Sequence, residues 1–245
     1  MPPTALDLAR VEDSAPPPSR PAAMQFLLEP LLPPPVVEAM RQRLREAPEG
    51  LWRSGVETAG WHARTVKHNR QLDPTSALHG ALAREVVEAL QAHPLVRAAA
   101  FPRRIHGLLF SRMGPGERYG RHVDNAWMAG GRADLSFTLA LTDPDACEGG
   151  DLLLETPADE ERIRLPAGHG IVYPSTRLHQ VEPVVRGERL VAVGWIESRI
   201  RHGEQRELLF ELDTARRTLF ARDGTGEVFD LISRSYSNLL RWWDA

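Results

Sequence analysis

Two histidines and one aspartate in this sequence have the residue types and spacing of a metal site. His122 and Asp124 are separated by one residue, and His179 follows much later in the chain. Alternate residues of a β-strand face the same side, so we expect His122 and Asp124 to bind one ion from a single strand, with His179 on a neighbouring strand. Two imidazoles and one carboxylate, with coordination positions left open, are the ligand set of non-haem Fe(II) oxygenases.

Arg189 adds a permanent cation to this group. It follows His179 closely, and the turn Arg186-Gly187-Glu188 is expected to fold its strand back against that of His179. A guanidinium can hold a carboxylate through two parallel hydrogen bonds. At about 3.3 Å rise per residue, an arginine one or two positions along an adjacent strand has suitable reach. An iron site with a carboxylate anchor beside it predicts a keto acid as co-substrate.

Composition and charge exclude several classes of protein. The 245 residues are 42% hydrophobic and 26% charged with a net charge of −3, so no basic field points to nucleic acid. The apolar runs fall short of the roughly 18 residues of a membrane span, and the N-terminus lacks a signal-peptide pattern. The single cysteine, Cys147, cannot form an internal disulfide. We therefore expect a cytoplasmic protein that needs neither nucleic acid nor a membrane.

The chain is expected to divide into four segments. Residues 1–22 form a proline-rich, disordered lead-in, and 23–103 an N-terminal scaffold with a strand at 24–28 and helices at 36–45 and 75–92. From 104 to 198 short strands alternate with turns, which is typical of a jelly roll. The predicted strands are 105–111, 119–124, 134–141, 151–155, 161–165, 170–173, 179–185 and 190–197.

Residues 199–245 return to helical spacing and are predicted to be a C-terminal extension. The predicted fold class is therefore α+β, a jelly-roll core with flanking N-terminal and C-terminal helices. The apolar residues of the last helix, with Trp242 and Trp243, are expected to pack on their own domain or on a second copy. A homo-oligomer through the C-terminal helices is one of the two arrangements left open.

Several ordered segments carry a resemblance to a known family. They are 66–69, 118–126, 149–152, 165–168, 173–175, 178–179, 183–184, 186–187 and 238–241, with Val181, Arg189 and Trp195. Together they resemble the bacterial PKHD-type hydroxylases, members of the Fe(II)/2-oxoglutarate dioxygenase superfamily, over most of the chain from about Met24. The resemblance implies a double-stranded β-helix with flanking helices.

The resemblance also implies roles for individual residues. His122, Asp124 and His179 would bind Fe(2+), and Arg189 would bind the distal carboxylate of 2-oxoglutarate. With O2 as second co-substrate, the enzyme would hydroxylate an unidentified substrate and release succinate and CO2. L-ascorbate is expected as an auxiliary that re-reduces the iron. The intact Asp124 favours hydroxylation, because halogenating relatives replace this carboxylate to make room for halide.

Other residues near the motif have less specific interpretations. Tyr119 could reach the co-substrate with its hydroxyl or simply pack half-buried. Asn125 and Trp127 could line the substrate mouth or belong to a surface loop. The segment Ser111–Met113 departs from the family, where an aromatic residue, usually tyrosine, is expected close to Met113. We therefore expect the pocket at this segment to differ in detail from that of the family.

Two alternative functions use the same residues. A non-catalytic sensor of iron or 2-oxoglutarate would keep the ligands and act on a protein partner through its C-terminal helices. A zinc hydrolase would use the three metal ligands without oxygen or a keto acid. Arg189 argues against the hydrolase, which has no use for a carboxylate clamp.

Overall fold

The structure is a computed structural model that describes residues 24–58, 63–128, 130–156 and 159–244. The predicted lead-in 1–22 lies outside the described residues. The helices are α1 (Pro34–Arg45), α2 (Ala77–Ala92), α3 (Gly203–Asp223) and α4 (Glu227–Trp243). The strands are β1 (Phe26–Leu28), β2 (Trp52–Ser54), β3 (Lys67–His68), β4 (Arg70–Leu72), β5 (Pro102–Met113), β6 (Arg118–His122), β7 (Trp127–Met128), β8 (Gly131–Arg132), β9 (Leu135–Ala140), β10 (Cys147–Gly149), β11 (Leu152–Glu155), β12 (Glu160–Ile163), β13 (Gly170–Pro174), β14 (His179–Val181), β15 (Val184–Gly187) and β16 (Arg189–Ser198).

Most of the strands form two antiparallel sheets, one of seven strands and one of five. The large sheet has the order β1-β13-β9-β16-β5-β4-β2, and the small sheet has the order β12-β11-β14-β6-β3. Two further pairs, β10-β15 and β7-β8, lie outside them. All pairings between named strands in the described residues are antiparallel. The predicted mixture of helices with antiparallel sheets is confirmed.

The two predicted N-terminal helices are confirmed, and local sequence explains their ends. α1 begins at Pro34, where a missing N–H costs nothing. Ser76 caps α2 by accepting a hydrogen bond from the His79 N–H at 3.1 Å, and the helix ends before His93, which precedes a proline. Both helices contribute to one buried cluster with strands of the large sheet.

Alternation along the central strands separates this core from an inner face. On β5, Leu108 and Phe110 belong to the helix-side cluster, whereas Leu109, Ser111 and Met113 line a cavity on the other face. A period of two is what a pleated strand requires. A second cluster fills the space between the two sheets. It contains Met113, Cys147, Leu152, Leu154, Ile171, Tyr173, Val181 and Val184.

Two predictions about the strands after residue 178 are wrong. The expected single strand 179–185 is two strands, β14 and β15, because Pro183 between them has no N–H for a ladder. The expected return of the Arg189 strand against the His179 strand does not occur. β16 pairs with β5 and β9 in the large sheet, whereas β14 pairs with β11 and β6 in the small sheet.

The predicted C-terminal helices are confirmed. In α3 the buried guanidinium of Arg206 donates hydrogen bonds to the carbonyls of Ile200 and Arg201, at 2.7 and 3.0 Å, which ties the helix to the end of β16. α4 packs against α3, and every side chain of α4 keeps at least partial exposure. Among the described helices, none combines the length and apolar character needed to cross a membrane. The predicted segment boundaries stay predictions.

Candidate active site

The three predicted metal ligands come together at the inner face of the small sheet. His122 is the last residue of β6 and lies directly opposite His179 of β14. Asp124 lies two residues beyond the end of β6, so the prediction that it shares a strand with His122 is wrong. The chain still returns its carboxylate to the histidines. One ligand atom from each of the three residues lies within 4.8 Å of the others.

Backbone hydrogen bonds orient both imidazoles. His122 Nδ1 is 2.8 Å from the carbonyl oxygen of Gly120, and His179 Nδ1 is 2.9 Å from that of Arg177. A carbonyl only accepts, so each Nδ1 carries a proton, and this leaves Nε2 of each ring as the atom that can bind a metal in the neutral tautomer. Metal-binding histidines commonly have this arrangement, since it fixes both tautomer and ring direction.

A pair of buried serines orients the carboxylate. The hydroxyl of Ser136 on β9 donates a hydrogen bond to Asp124 Oδ2 at 2.5 Å, and its oxygen is 2.8 Å from Ser175 Oγ. Both serines are only 2% exposed. The large sheet therefore orients the carboxylate that lies beside the two histidines of the small sheet.

Burial keeps the site suited to a cation. It lowers the pKa of His122 to about 4, and the neighbouring His179 acts in the same direction. His122 is therefore neutral at physiological pH, as a metal ligand must be. Its ring stacks on Tyr119, with 3.6 Å between centroids and an interplanar angle of 18°. Burial also raises the pKa of Tyr119, so this hydroxyl stays protonated.

Arg189 reaches the same cavity from the opposite sheet. The cavity has a volume of about 100 Å³, and its walls include the triad, Tyr119 and Arg189. Burial lowers the pKa of Arg189 to about 10, which leaves it protonated at neutral pH. Among the described residues, no carboxylate lies within ion-pair distance of this guanidinium. Gly150, with φ of +72°, makes room for it, because a Cβ there would lie 2.9 Å from Arg189 Cδ.

Of the two positions predicted for the substrate mouth, one lies at the cavity and the other does not line it. Asn125 lines the cavity together with Met128. Trp127 is 67% exposed and is not among the described lining residues. The family departure falls on the cavity wall, since Ser111 and Met113 both line it and Met113 is paired with Arg189 across β5 and β16.

Sequence reasoning missed several residues that shape the site. Ser136 lies within a predicted strand, where a polar residue in an apolar run was an available signal. Lys67, Asn69 and Gln71 lie where the chain passes from β3 in the small sheet to β4 in the large sheet, and all three line the cavity. Segment 66–69 contributed only to the resemblance. Its place on the cavity wall depends on long-range pairing that local pattern does not encode.

The fold and the site are those of a non-haem iron oxygenase, and comparisons agree. A family model described as the 2OG-Fe(II) oxygenase superfamily matches residues 108–197, and one described as the PKHD-type hydroxylase C-terminal domain matches residues 204–244. A PKHD-type hydroxylase from Synechococcus elongatus is 56% identical over 193 residues, covering 77% of this chain and 86% of the relative. Another, from Picosynechococcus sp., is 48% identical over 220 residues, covering 90% and 99%. The chain belongs to the PKHD-type hydroxylase family.

Solved structures support the fold. A Pseudomonas putida prolyl-4-hydroxylase aligns with a TM-score of 0.51 at 22% identity, covering 71% of this chain and 92% of that one. A prolyl hydroxylase from Trichoplax adhaerens aligns with a TM-score of 0.53 at 16% identity, covering 76% and 86%. The protein is thus an enzyme, an oxidoreductase of the dioxygenase class, and its superfamily uses Fe(II) and 2-oxoglutarate.

Proposed function

We propose that this protein is an Fe(II)- and 2-oxoglutarate-dependent hydroxylase built on a double-stranded β-helix, with an as yet unidentified substrate. His122, Asp124 and His179 bind Fe(II), and Arg189 binds the distal carboxylate of 2-oxoglutarate. O2 is the second co-substrate, and the products include succinate and CO2. The observation that carries this proposal is the convergence of two oriented imidazoles and a carboxylate in one cavity with the guanidinium of Arg189.

The residues of the chain have distinct tasks in this proposal. When bound, Fe(II) supplies the oxidising chemistry with O2. His122 and His179 bind the metal through Nε2, because backbone carbonyls accept hydrogen bonds from their Nδ1 atoms. Arg189 fixes the orientation of the keto acid by a bidentate contact. Apolar Val191 and Val193 line the cavity beside it and limit access of water.

Tyr119, Asn125 and Trp127 have supporting roles in the proposal. The Tyr119 ring is stacked on His122 and restricts its motion, while its protonated hydroxyl is a donor available to the co-substrate. Asn125 and Trp127 would contact the substrate where it enters. Asn125 has the better support, because it lines the cavity.

An anaerobic binding experiment tests the proposed function. Wild-type protein should bind 2-oxoglutarate only when Fe(II) is present and develop the absorption band of the iron–keto acid complex. Arg189→Met should weaken 2-oxoglutarate binding at least 100-fold while Fe(II) binding persists, whereas His122→Ala should lose Fe(II) binding. Absence of Fe(II)-dependent binding in wild type would refute the proposal. Succinate release in air separates an enzyme from a sensor, and activity without oxygen would indicate a zinc hydrolase.

Further parts of the proposal concern the surroundings of the enzyme. We propose L-ascorbate as an auxiliary reductant, a cytoplasmic location and no requirement for nucleic acid. Self-association through α3 and α4 is supported by exposed apolar side chains there, among them Phe220, Leu231 and Trp242, which are 52%, 48% and 75% exposed. Where exposed apolar side chains form a contiguous patch, they commonly mark an interaction surface.

A further inference from the structure

Lys67 is unusual both in the sequence and in its location. Of the 30 lysine and arginine residues in the chain, Lys67 is the only lysine. It is also buried, at 5% exposure, in the wall of the cavity that contains the metal triad and Arg189. Ionisable side chains in the interior are costly and concentrate at functional sites. A buried lysine in the active-site wall, in a protein that has arginine at every other Lys or Arg position, therefore needs a functional explanation.

The sheet register places Lys67 close to the metal triad. Lys67 on β3 is paired with Tyr119 on β6, which is paired with Val181 on β14, so the three side chains share the inner face. Lys67 Nζ lies 5.1 Å from the centroid of the Tyr119 ring, which stacks on His122. The ammonium is thus one aromatic ring away from a proposed metal ligand.

The neighbouring wall is polar. Gln71 and Asn69 are 3% and 6% exposed, and both line the cavity with Lys67. Asn69 donates a hydrogen bond to Ser111 Oγ at 2.7 Å, so this wall is linked to β5. Arg189 belongs instead to β16, with β5 between it and the Gln71 strand. The cavity thus has two cationic walls, one at Arg189 and one at Lys67.

A cavity with a cationic side chain on each of two walls can bind two anionic molecules, one at each wall. We propose that Lys67 is the anion-binding residue of the substrate site, and that the molecule hydroxylated by this enzyme is a small acid whose carboxylate pairs with the Lys67 ammonium. The proposal rests on the proposed function, in which Arg189 is occupied by 2-oxoglutarate. A lysine suits this position, because its compact ammonium on a flexible stem can meet an entering carboxylate.

Electrostatics agree with this assignment. Burial lowers the pKa of Lys67 to about 8, while the charge of Asp124 opposes that shift. Lys67 is therefore still largely protonated at neutral pH. A divalent ion at the triad would offset the attraction between the Asp124 carboxylate and the Lys67 ammonium. The carboxylate of a bound substrate would supply a new attraction that keeps the ammonium protonated.

The test uses the full chain with Mn(II) and saturating 2-oxoglutarate, so that Arg189 is occupied. The probes are N-acetyl amino acids and the matching N-acetyl amino acid amides, which differ only in the charge of the carboxyl group. Because the chain has a single lysine, amine-specific labelling followed by mass spectrometry reports on Lys67. At least one acid should protect Lys67 from labelling by tenfold or more, and its amide should bind roughly 30-fold more weakly, the loss expected when one partner of a buried charge pair is removed.

Variants separate this inference from the proposed function. With Fe(II) in air, the protecting acid should stimulate 2-oxoglutarate consumption in wild type and Lys67→Arg but not in Lys67→Met. Thermal unfolding checks that Lys67→Met folds, and it should bind 2-oxoglutarate within twofold of wild type. Equal binding of acid and amide, stimulation retained in Lys67→Met, no acid that protects Lys67, or a loss of 2-oxoglutarate binding like that of Arg189→Met would each overturn the assignment. Failure of the proposed function would instead appear as no Fe(II)-dependent 2-oxoglutarate binding in wild type.

Discussion

The hydroxyl of Ser136 offers a sharp test of how the metal site is built. It donates to Asp124 Oδ2 at 2.5 Å from a position that is 2% exposed. A hydrogen bond to a charged acceptor contributes about 1.5–3 kcal/mol, which corresponds to roughly 10- to 100-fold in an equilibrium constant. Outer partners of metal ligands affect metal affinity by a similar factor. Ser136→Ala should therefore weaken Fe(II) binding 10- to 100-fold.

The assay is an anaerobic Fe(II) titration in saturating 2-oxoglutarate, followed by absorption of the iron–keto acid complex. Ser175→Ala is the matched control, because Ser175 is equally buried and contacts Ser136 at 2.8 Å without a hydrogen bond to Asp124 in the described contacts. It should change Fe(II) affinity less than Ser136→Ala does. Urea unfolding of the metal-free variants shows whether both retain the fold.

Two results would refute the reasoning. If Ser136→Ala bound Fe(II) with wild-type affinity, the hydroxyl would have no part in orienting the carboxylate. If Ser175→Ala weakened Fe(II) binding as much as Ser136→Ala, the effect would come from packing between β9 and the loop after β13 rather than from the hydrogen bond to Asp124.

Three further predictions concern other parts of the molecule. Gly150→Ala should lose roughly 1–2 kcal/mol of stability and, because the added Cβ displaces Arg189, about tenfold in 2-oxoglutarate affinity. The control is Gly224→Ala, at φ of +73° in open space, which should lose stability only. Equal losses of affinity in the two variants would contradict this prediction. Burial lowers the pKa of His122 to about 4 in the folded protein, against about 6.5 in the unfolded chain. The unfolded chain therefore binds more protons between these pH values, and the unfolding free energy of the metal-free protein should rise by roughly 1–3 kcal/mol from about pH 4 to 6.5. The same rise in His122→Asn, measured by urea unfolding, would refute this prediction. Trp242→Glu should convert a wild-type dimer to a monomer in light scattering, and a monomeric wild type would exclude the interface.

Local sequence predicted the identity of the triad better than the route by which the chain assembles it. His122 and His179 were expected on neighbouring strands, and they are cross-strand partners. Asp124 was expected on the same strand, but β6 ends at His122. A ligand pattern specifies which side chains converge, whereas the end of a strand depends on where its partners stop.

The position of Arg189 shows a second limit of sequence reasoning. The sequence predicted a turn at Arg186-Gly187-Glu188, but Gly187 is the last residue of β15 and β16 begins at Arg189. The break between two strands does not specify which sheet the next strand joins. Pro183 breaks the expected strand and separates β14 from β15, after which β16 enters the large sheet. Lys67 and Ser136 escaped notice for a related reason, since their contacts join segments far apart in the chain.

The placement of Arg189 and His179 on opposite sheets has a chemical consequence. If Arg189 followed His179 within one sheet, the distance from guanidinium to metal would be set by strand rise. With the two on opposite sheets, that distance depends on the spacing between sheets, which is about 10 Å face to face. A five-carbon diacid bound at both ends would therefore bridge the two sheets. Met113 beside Arg189 and Tyr173 against His179 are packed between the sheets. In the proposed function they would set the spacing for the co-substrate as well as fill the core.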